Sequence, residues 1–264
     1  MSYRLIVMRG KDGFTNMSVD EAILEAVSRQ LVPETIRFFD FTPVAITIGR
    51  LQYIDEIAMK ECKKKGIDVV RRLTGGRAVV HSGDFTFSFI VKRENPIFGG
   101  SLYNVYRAVS LPFLRSLHAL NIPAEWVKVQ RKEQTGKISR RNPLCFSSVS
   151  RYELKVRDEK VLGVSQYRTR NTVLIQGTLM LQKSDFCESV LFNSPISSAA
   201  GIGDRGNYGI SFELFGSKLK QILADTYDID IMDAVLTKEE QNRARIRRKK
   251  YVSCKWNNFR ELPE

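Results

Sequence analysis

Between residues 35 and 91 the chain strings short strand-like runs together with little helical sequence between them. TIRFFDF (35–41) and VAITIGR (44–50) are rich in β-branched and aromatic residues and are parted by Thr42 and Pro43. A short helix over 55–65, ending at Gly66, leads to the strand IDVVRRL and a double glycine, Gly75–Gly76. RAVVHSGDFTFSFIV then carries one or two more strands. Parallel pairing needs a crossover of a dozen or more residues at each step. The stretch has no regular strand–helix–strand spacing, so it predicts a mixed or mostly antiparallel sheet.

The flanking sequence supplies the helices. NMSVDEAILEAVSRQ follows a strand at 4–9; Ala22, Ile23, Ala26 and Val27 give it an apolar stripe, and Asn16 or Ser18 is its expected cap. SLYNVYRAVSLPFLRSLHAL (101–120) has helical spacing, with Pro112 expected to kink or divide it. YELKVRDEKVLGVSQYR (152–168) reads as a hairpin turning near Arg157 and Asp158, and TVLIQGTLML (172–181) as another strand. Beyond about residue 184 the pattern is mainly helical, with helices at 211–225 and 237–250. The fold class is therefore α+β: mixed, largely antiparallel sheets flanked by helices.

With 264 residues, 43% hydrophobic and 27% charged, the chain fits one large domain, or one domain with a small terminal appendage. The apolar run in MSYRLIVMRGKDG is too short for a signal peptide, and no stretch approaches the roughly 20 apolar residues of a membrane span. A cytoplasmic protein is expected. Cys62, Cys145, Cys187 and Cys254 have no CxxC spacing, and there are 2 histidines, so neither a zinc site nor a redox pair is indicated. The net charge of +13 favours an acidic partner. Basic residues concentrate in 127–142, expected as an exposed mobile loop, and in 242–255, expected as a solvated helix face. The aromatic residues follow apolar strand and helix patterns instead of interleaving with this charge, which argues against a nucleic-acid platform.

The strongest local chemistry lies in PLCFSSVSRYELKVRDEKVLGVSQYR (143–168). Cys145 sits before the hairpin and Lys160 across it, where folding would return the lysine towards the thiol. A nearby ammonium favours the thiolate. Such a thiolate can take an acyl group from a thioester and hand it to an amine. The competing reading is a buried small hydrophobe and a solvated lysine. Glycine's backbone freedom, in turn, suits Gly75 and Gly76 either to a ligand-cradling loop or to a plain tight turn.

Four segments resemble the lipoate–protein ligase and octanoyltransferase family: NMSVDEAIL; RRLTGGRAVVHSGDFTFSF; CFSSVSRYELKV with EKVLGVSQYR and QGTLML; and LTKEEQ with KKYVSCKWN. They span nearly the whole chain in the family's order. The CF…S.YEL context of Cys145 is similar to that of cysteine-dependent octanoyl-[acyl-carrier-protein]:protein N-octanoyltransferases. The resemblance implies a catalytic domain like that of biotin ligases and class II aminoacyl-tRNA synthetases over 1–230, with a helical extension, 231–264, packed on it. It implies Cys145 and Lys160 as catalytic residues, and Arg72, Gly75, Gly76, Arg77, His81, Gly163 and Gln166 as substrate-binding residues. It further implies octanoyl-acyl carrier protein as donor and a lipoyl domain or glycine-cleavage H protein as acceptor. No cofactor, metal, nucleic acid or membrane is called for, and a monomer is expected. Asp84 and Thr86 are expected to order their segment, and Arg168 aligns with a family arginine.

Departures from the family pattern leave acceptor choice and acyl length open: GSAQ reads GVSQ at 163–166, and QHG reads IQG with Gln176 in the histidine position. An amidotransferase moving octanoate between H protein and lipoyl domains fits GVSQ as well. An ATP-dependent lipoate ligase, using Mg²⁺ and an acyl-adenylate, would share the glycine segment and lysine but needs no Cys145. From another class, a basic nucleic-acid-binding protein has charge alone in its favour.

Overall fold

A computed structural model of the chain describes residues 1–127, 152–157, 159–182, 191–192 and 209–262. Its frame is an eight-stranded sheet ordered β11-β1-β2-β6-β10-β9-β8-β7. The strands are β1 (Ser2–Lys11), β2 (Thr35–Phe41), β6 (Phe85–Lys92), β7 (Ala124–Trp126), β8 (Leu154–Val156), β9 (Glu159–Arg168), β10 (Thr172–Leu179) and β11 (Asp230–Asp233). β1 runs parallel to both β2 and β11, and the remaining neighbours are antiparallel. A second sheet, β4-β3-β5, joins β3 (Ala45–Ile48) to β4 (Asp68–Arg71) in parallel and to β5 (Val79–His81) in antiparallel fashion. The expected mixed, largely antiparallel α+β fold is what these residues build.

Period-two alternation divides the large sheet into two unlike faces. On one, Phe85, Phe87 and Phe89 of β6 join Ile36 and Phe38 of β2 and Val173, Ile175 and Leu179 of β10. Helices α3 (Leu102–Ala119) and α4 (Phe212–Tyr227) cover that face, bringing Phe113, Leu117, Phe215 and Leu219 into the same core. The other face carries Arg37, Phe39, Thr86, Ser88, Gln176 and Thr178 from the same strands, all buried. There α1 (Gly13–Ser28), the small sheet and α5 (Lys238–Val252) lie over it, with apolar packing from Met17, Ile23, Leu73, Ile90, Leu174 and Trp256. A sheet face with this many buried polar groups must satisfy them internally, and that requirement shapes the site below.

Several sequence expectations are corrected in detail. Helix α1 starts three residues early, at Gly13, because the Asp12 carboxylate accepts the Thr15 backbone N–H at 2.8 Å. Asn16 and Ser18 lie inside the helix. Residues 55–65 split into a 3₁₀ turn, Ile54–Glu56, and a short α2, Met59–Lys64. Pro112 does not divide α3. A helical proline leaves the carbonyl four residues earlier without its donor; that carbonyl, on Ala108, accepts the Tyr227 hydroxyl of α4 at 2.6 Å.

The basic run at 242–255 is not simply a solvated face. Arg243 and Arg247 pair with Glu25, Arg248 with Asp12, and buried Lys250 with Glu21, so much of this charge is matched on α1 and its cap. The hairpin turn holds Arg157 at φ +56; Asp158 and, of the basic run expected as a loop at 127–142, residues 128–142 lie outside the described residues. Two strands escaped the reading, β7 and β11, because three- and four-residue edge strands carry too little alternation to be seen. β11 starts at Asp230, where the sequence places the boundary of the catalytic domain, and it hydrogen-bonds to β1 as part of the main sheet.

Candidate active site

The double-glycine loop lies on the polar sheet face, against β9. Gly76 has φ +90, a conformation that favours glycine, and its carbonyl oxygen would lie 1.9 Å from a Cβ placed on Gly49. Two glycines are therefore needed, one for the turn and one for the strand end packed beneath it. Between this loop and the sheet runs a cavity whose apolar wall is Met17, Phe39, Phe41, Val79 and Val164. Arg72, Gly76, His81, Gly163 and Ser165 complete its lining on the loop and β9 sides.

The polar side chains here are directed by a continuous set of hydrogen bonds. Arg72 Nη1 donates to the Thr47 carbonyl at 2.9 Å and to its hydroxyl at 3.1 Å. Arg72 Nη2 donates to the carbonyls of Gly75 and Arg77, both at 2.7 Å, which fixes the loop from inside. With Thr47 Oγ1 accepting from Arg72, its hydroxyl is free to donate to His81 Nε2, 2.9 Å away. His81 Nδ1–H then donates to Asp84 at 2.8 Å. Thr86 donates to the same Asp84 oxygen at 2.5 Å, and the His81 ring stacks on Phe41 with centroids 4.0 Å apart. This assignment makes His81 the Nδ1–H tautomer, held by Asp84 and locked from below by an aromatic ring. Asp84 and Thr86 thus order their segment through His81.

A second network reaches the same loop from α1. Fully buried Arg37 donates to Asp20 at 2.8 Å and to the Asn16 side-chain oxygen at 2.5 Å. Burial lowers the Arg37 pKa against the pull of Asp20. Asp20 also accepts from Ser88 at 3.0 Å and from Gln176 Nε2 at 2.7 Å. Gln176 Oε1 in turn accepts the Thr74 hydroxyl at 2.7 Å. The residue beside the double glycine is thereby tied to α1, β2, β6 and β10.

Lys160 sits on β9 three residues before Gly163, with its side chain 3% exposed. Its ammonium donates to Glu153 at 2.6 Å across the hairpin. Burying this ion pair is tolerable because each charge has a partner at hydrogen-bond distance. Gln166 points elsewhere: its Oε1 accepts from Arg168 Nε at 2.6 Å, and Arg168 also donates to the Gly100 carbonyl at 2.6 Å. Gly75 and Arg77 enter as loop carbonyls bound by Arg72. Cys145 lies outside the described residues. So the structure gathers Arg72, Gly76, His81 and Gly163 at one cavity, places Lys160 along the same strand, and turns Gln166 to Arg168. The sequence reading did not single out Thr47, Asp20 or Glu153. For Glu153 a signal existed, an acidic residue seven positions from Lys160 across a hairpin. Among the described residues no cluster of metal ligands occurs, and no helix is long and apolar enough to cross a membrane.

Comparison with known proteins gives this fold and site a class, the acyltransferases of protein lipoylation. Residues 12–239 match the lipoyl protein ligase A/B catalytic domain, and the chain belongs to that family. Octanoyltransferase LipM of Brevibacillus brevis is 32% identical over 97% of this chain and 98% of its own length. LipM of Clostridioides difficile is 29% identical over 98% and 99%. Among solved structures, a lipoate–protein ligase A bound with ATP superposes with a TM-score of 0.80 at 22% identity, covering 97% of this chain and 98% of that one. A lipoic-acid-bound protein from Thermoplasma acidophilum, described as a putative lipoate protein ligase, gives 0.78 over 97% and 99%, also at 22%.

Proposed function

We propose that this enzyme takes octanoate from acyl carrier protein onto Cys145 and delivers it to a lysine of a lipoyl domain or of glycine-cleavage H protein. At the coarser level it is an acyltransferase whose reaction is octanoyl transfer in protein lipoylation, as its octanoyltransferase relatives indicate. The observation that carries the finer reading is the arrangement along β9: an apolar cavity under the double glycine at Gly163, and a buried Lys160 one strand segment away.

In the first step the Cys145 thiolate adds to the thioester carbonyl of the donor. The tetrahedral adduct collapses with cleavage of the donor's C–S bond, and the departing carrier thiolate takes up the proton that Cys145 gave up. In the second step the neutral acceptor amine adds to the octanoyl-Cys145 carbonyl. The new C–N bond remains, the C–S bond breaks, and the amine's proton passes to the Cys145 sulfur. Lys160, as an ammonium, stabilises the thiolate in both steps and can donate to the acyl oxygen. Glu153 holds its position. Arg72 and His81 shape the channel that receives the chain.

Intact-mass measurement after incubation with octanoyl-acyl carrier protein, without ATP, tests this. A hydroxylamine-labile octanoyl adduct, absent in Cys145→Ser, is the expected result. No adduct, together with ATP-dependent modification of a lipoyl domain, would sink the proposal in favour of a ligase. Lys160→Gln is expected to slow adduct formation by about 10²-fold or more.

A further inference from the structure

A second cavity, of about 550 Å³, opens on the other side of the glycine loop from the acyl slot. Its wall includes Leu73, which adjoins Thr74, and Arg50, whose backbone N–H donates to the Thr74 carbonyl at 2.9 Å. The two cavities share β9: Ser165 lines the first and Tyr167 the second. Both side chains lie on the same face of the strand, about 7 Å apart.

The charge of this second cavity is unbalanced. Arg247 and Lys250 on its rim are matched by Glu21 and Glu25. Arg29, Arg50 and Arg260 also line it, and among the described residues none of their side chains has a hydrogen bond or ion pair. The Arg50 guanidinium is half-buried and held 5.0 Å above the Tyr167 ring, so it is pre-oriented without being neutralised. Neighbouring cations register the surplus. Burial, with Arg260 and Arg72 close by, pushes Arg71 down to about 10. Burial also holds Lys250 low despite Glu21, with Arg247 and Arg50 adding to the effect. Three arginines lining a concave site whose two carboxylates, Glu21 and Glu25, are already engaged by Arg247 and Lys250 leave planar forks available to grip a phosphate.

We propose that this cavity binds the phosphate of the donor's phosphopantetheine arm, seating it against Arg50 and Arg260 while the thioester enters the acyl slot along β9. The inference rests on the acyl-carrier donor proposed above. The lengths agree: about 13 bonds separate the thioester sulfur from the phosphorus, roughly 16 Å when extended. From Tyr167 that reach extends back along β9 about five residues, to the neighbourhood of Gly163. Tyr167, Trp256 and Leu73 supply an apolar wall for the arm's gem-dimethyl segment.

Calorimetric titration of the full-length enzyme with 4′-phosphopantetheine, pantetheine and inorganic phosphate decides this without requiring turnover. The phosphorylated arm is expected to bind about ten-fold or more tighter than either of the others. That advantage should fall to near one in Arg50→Gln and in Arg260→Gln, and Arg50→Lys should restore part of it. Equal binding of the two arms by the wild type, persistence of the preference in both glutamine variants, or inorganic phosphate binding as tightly as the arm would overturn the proposal. Acylation of Cys145 by octanoyl-pantetheine, read separately by mass, tells whether the transfer reading stands when the phosphate preference is missing.

Discussion

At the scale of single residues the site depends on buried polar groups that satisfy one another. Asp20 is the pivot, accepting from Arg37, Ser88 and Gln176. Asp20→Asn removes the countercharge of a fully buried guanidinium, and the expected loss is about 3–5 kcal/mol of stability, read from urea unfolding. Gln176→Leu is milder for stability, about 1–3 kcal/mol, but it releases the Thr74 hydroxyl. Octanoyl transfer should then fall more than Thr74→Ser would cost, because serine keeps the hydroxyl; equal losses in the two variants would show that the hydrogen bond does not hold the loop. The sequence made Arg72, His81 and the glycines visible as a motif. It hid Asp20 and Thr47, because each belongs to an apolar-looking helix or strand, and their partners arrive from 17 to 156 positions away. Contacts of that kind leave no local periodicity to read.

At the scale of elements, α3 shows why a local rule can fail. Pro112 is expected to kink or divide the helix, yet the helix runs through it, with α4 providing the missing donor from Tyr227. Tyr227→Phe is expected to cost about 1–3 kcal/mol by leaving the Ala108 carbonyl unpaired. The hydroxyl also links stability to pH. Burial pushes both Tyr227 and Tyr3 up to about 12. The folded chain then keeps two protons that the unfolded chain releases near the ordinary tyrosine pKa of about 10. Their contribution is complete below pH 10 and is lost as pH rises towards 12. Urea midpoints measured between pH 8 and 11.5 should decline in the upper part of that range. The decline should be shallower in Tyr227→Phe; an unchanged slope would mean that the phenol does not carry it. The long strands and amphipathic helices were legible because period two and period 3.6 are written within each segment. Edge strands β7 and β11 were not, since pairing alone defines them.

At the scale of the whole molecule, the C-terminal segment is built into the site's foundation. Arg4 of β1 pairs with fully buried Glu240, which also closes the capping box of α5 with Thr237. Arg71, the residue before Arg72, is fully buried and has no carboxylate partner among the described residues. Its guanidinium donates instead to carbonyls of Gly49, Arg50 and Gln52 on one side and of Trp256 and Asn257 on the other. Trp256 Nε1 returns a bond to the Arg71 carbonyl at 2.8 Å, and Asn257 Oδ1 accepts the Arg71 N–H at 2.8 Å. A chain ending at Val252 would leave this guanidinium with three of its five carbonyl acceptors and remove the packing of Trp256. The expected loss is several kcal/mol, comparable to breaking a buried ion pair, and it falls on the strand that carries Arg72 and the glycine loop. Trp256→Phe isolates the indole bond: it keeps most of the packing and should cost about 1–2 kcal/mol. We propose on this basis that 231–264 is an extension without independent stability, not a detachable module. Limited proteolysis followed by denaturation of the nicked protein tests it. One cooperative transition is expected for the intact chain, with loss of octanoyl transfer as soon as the 253–262 segment is removed. A truncated chain that keeps wild-type stability and activity would show that Arg71 finds its acceptors elsewhere.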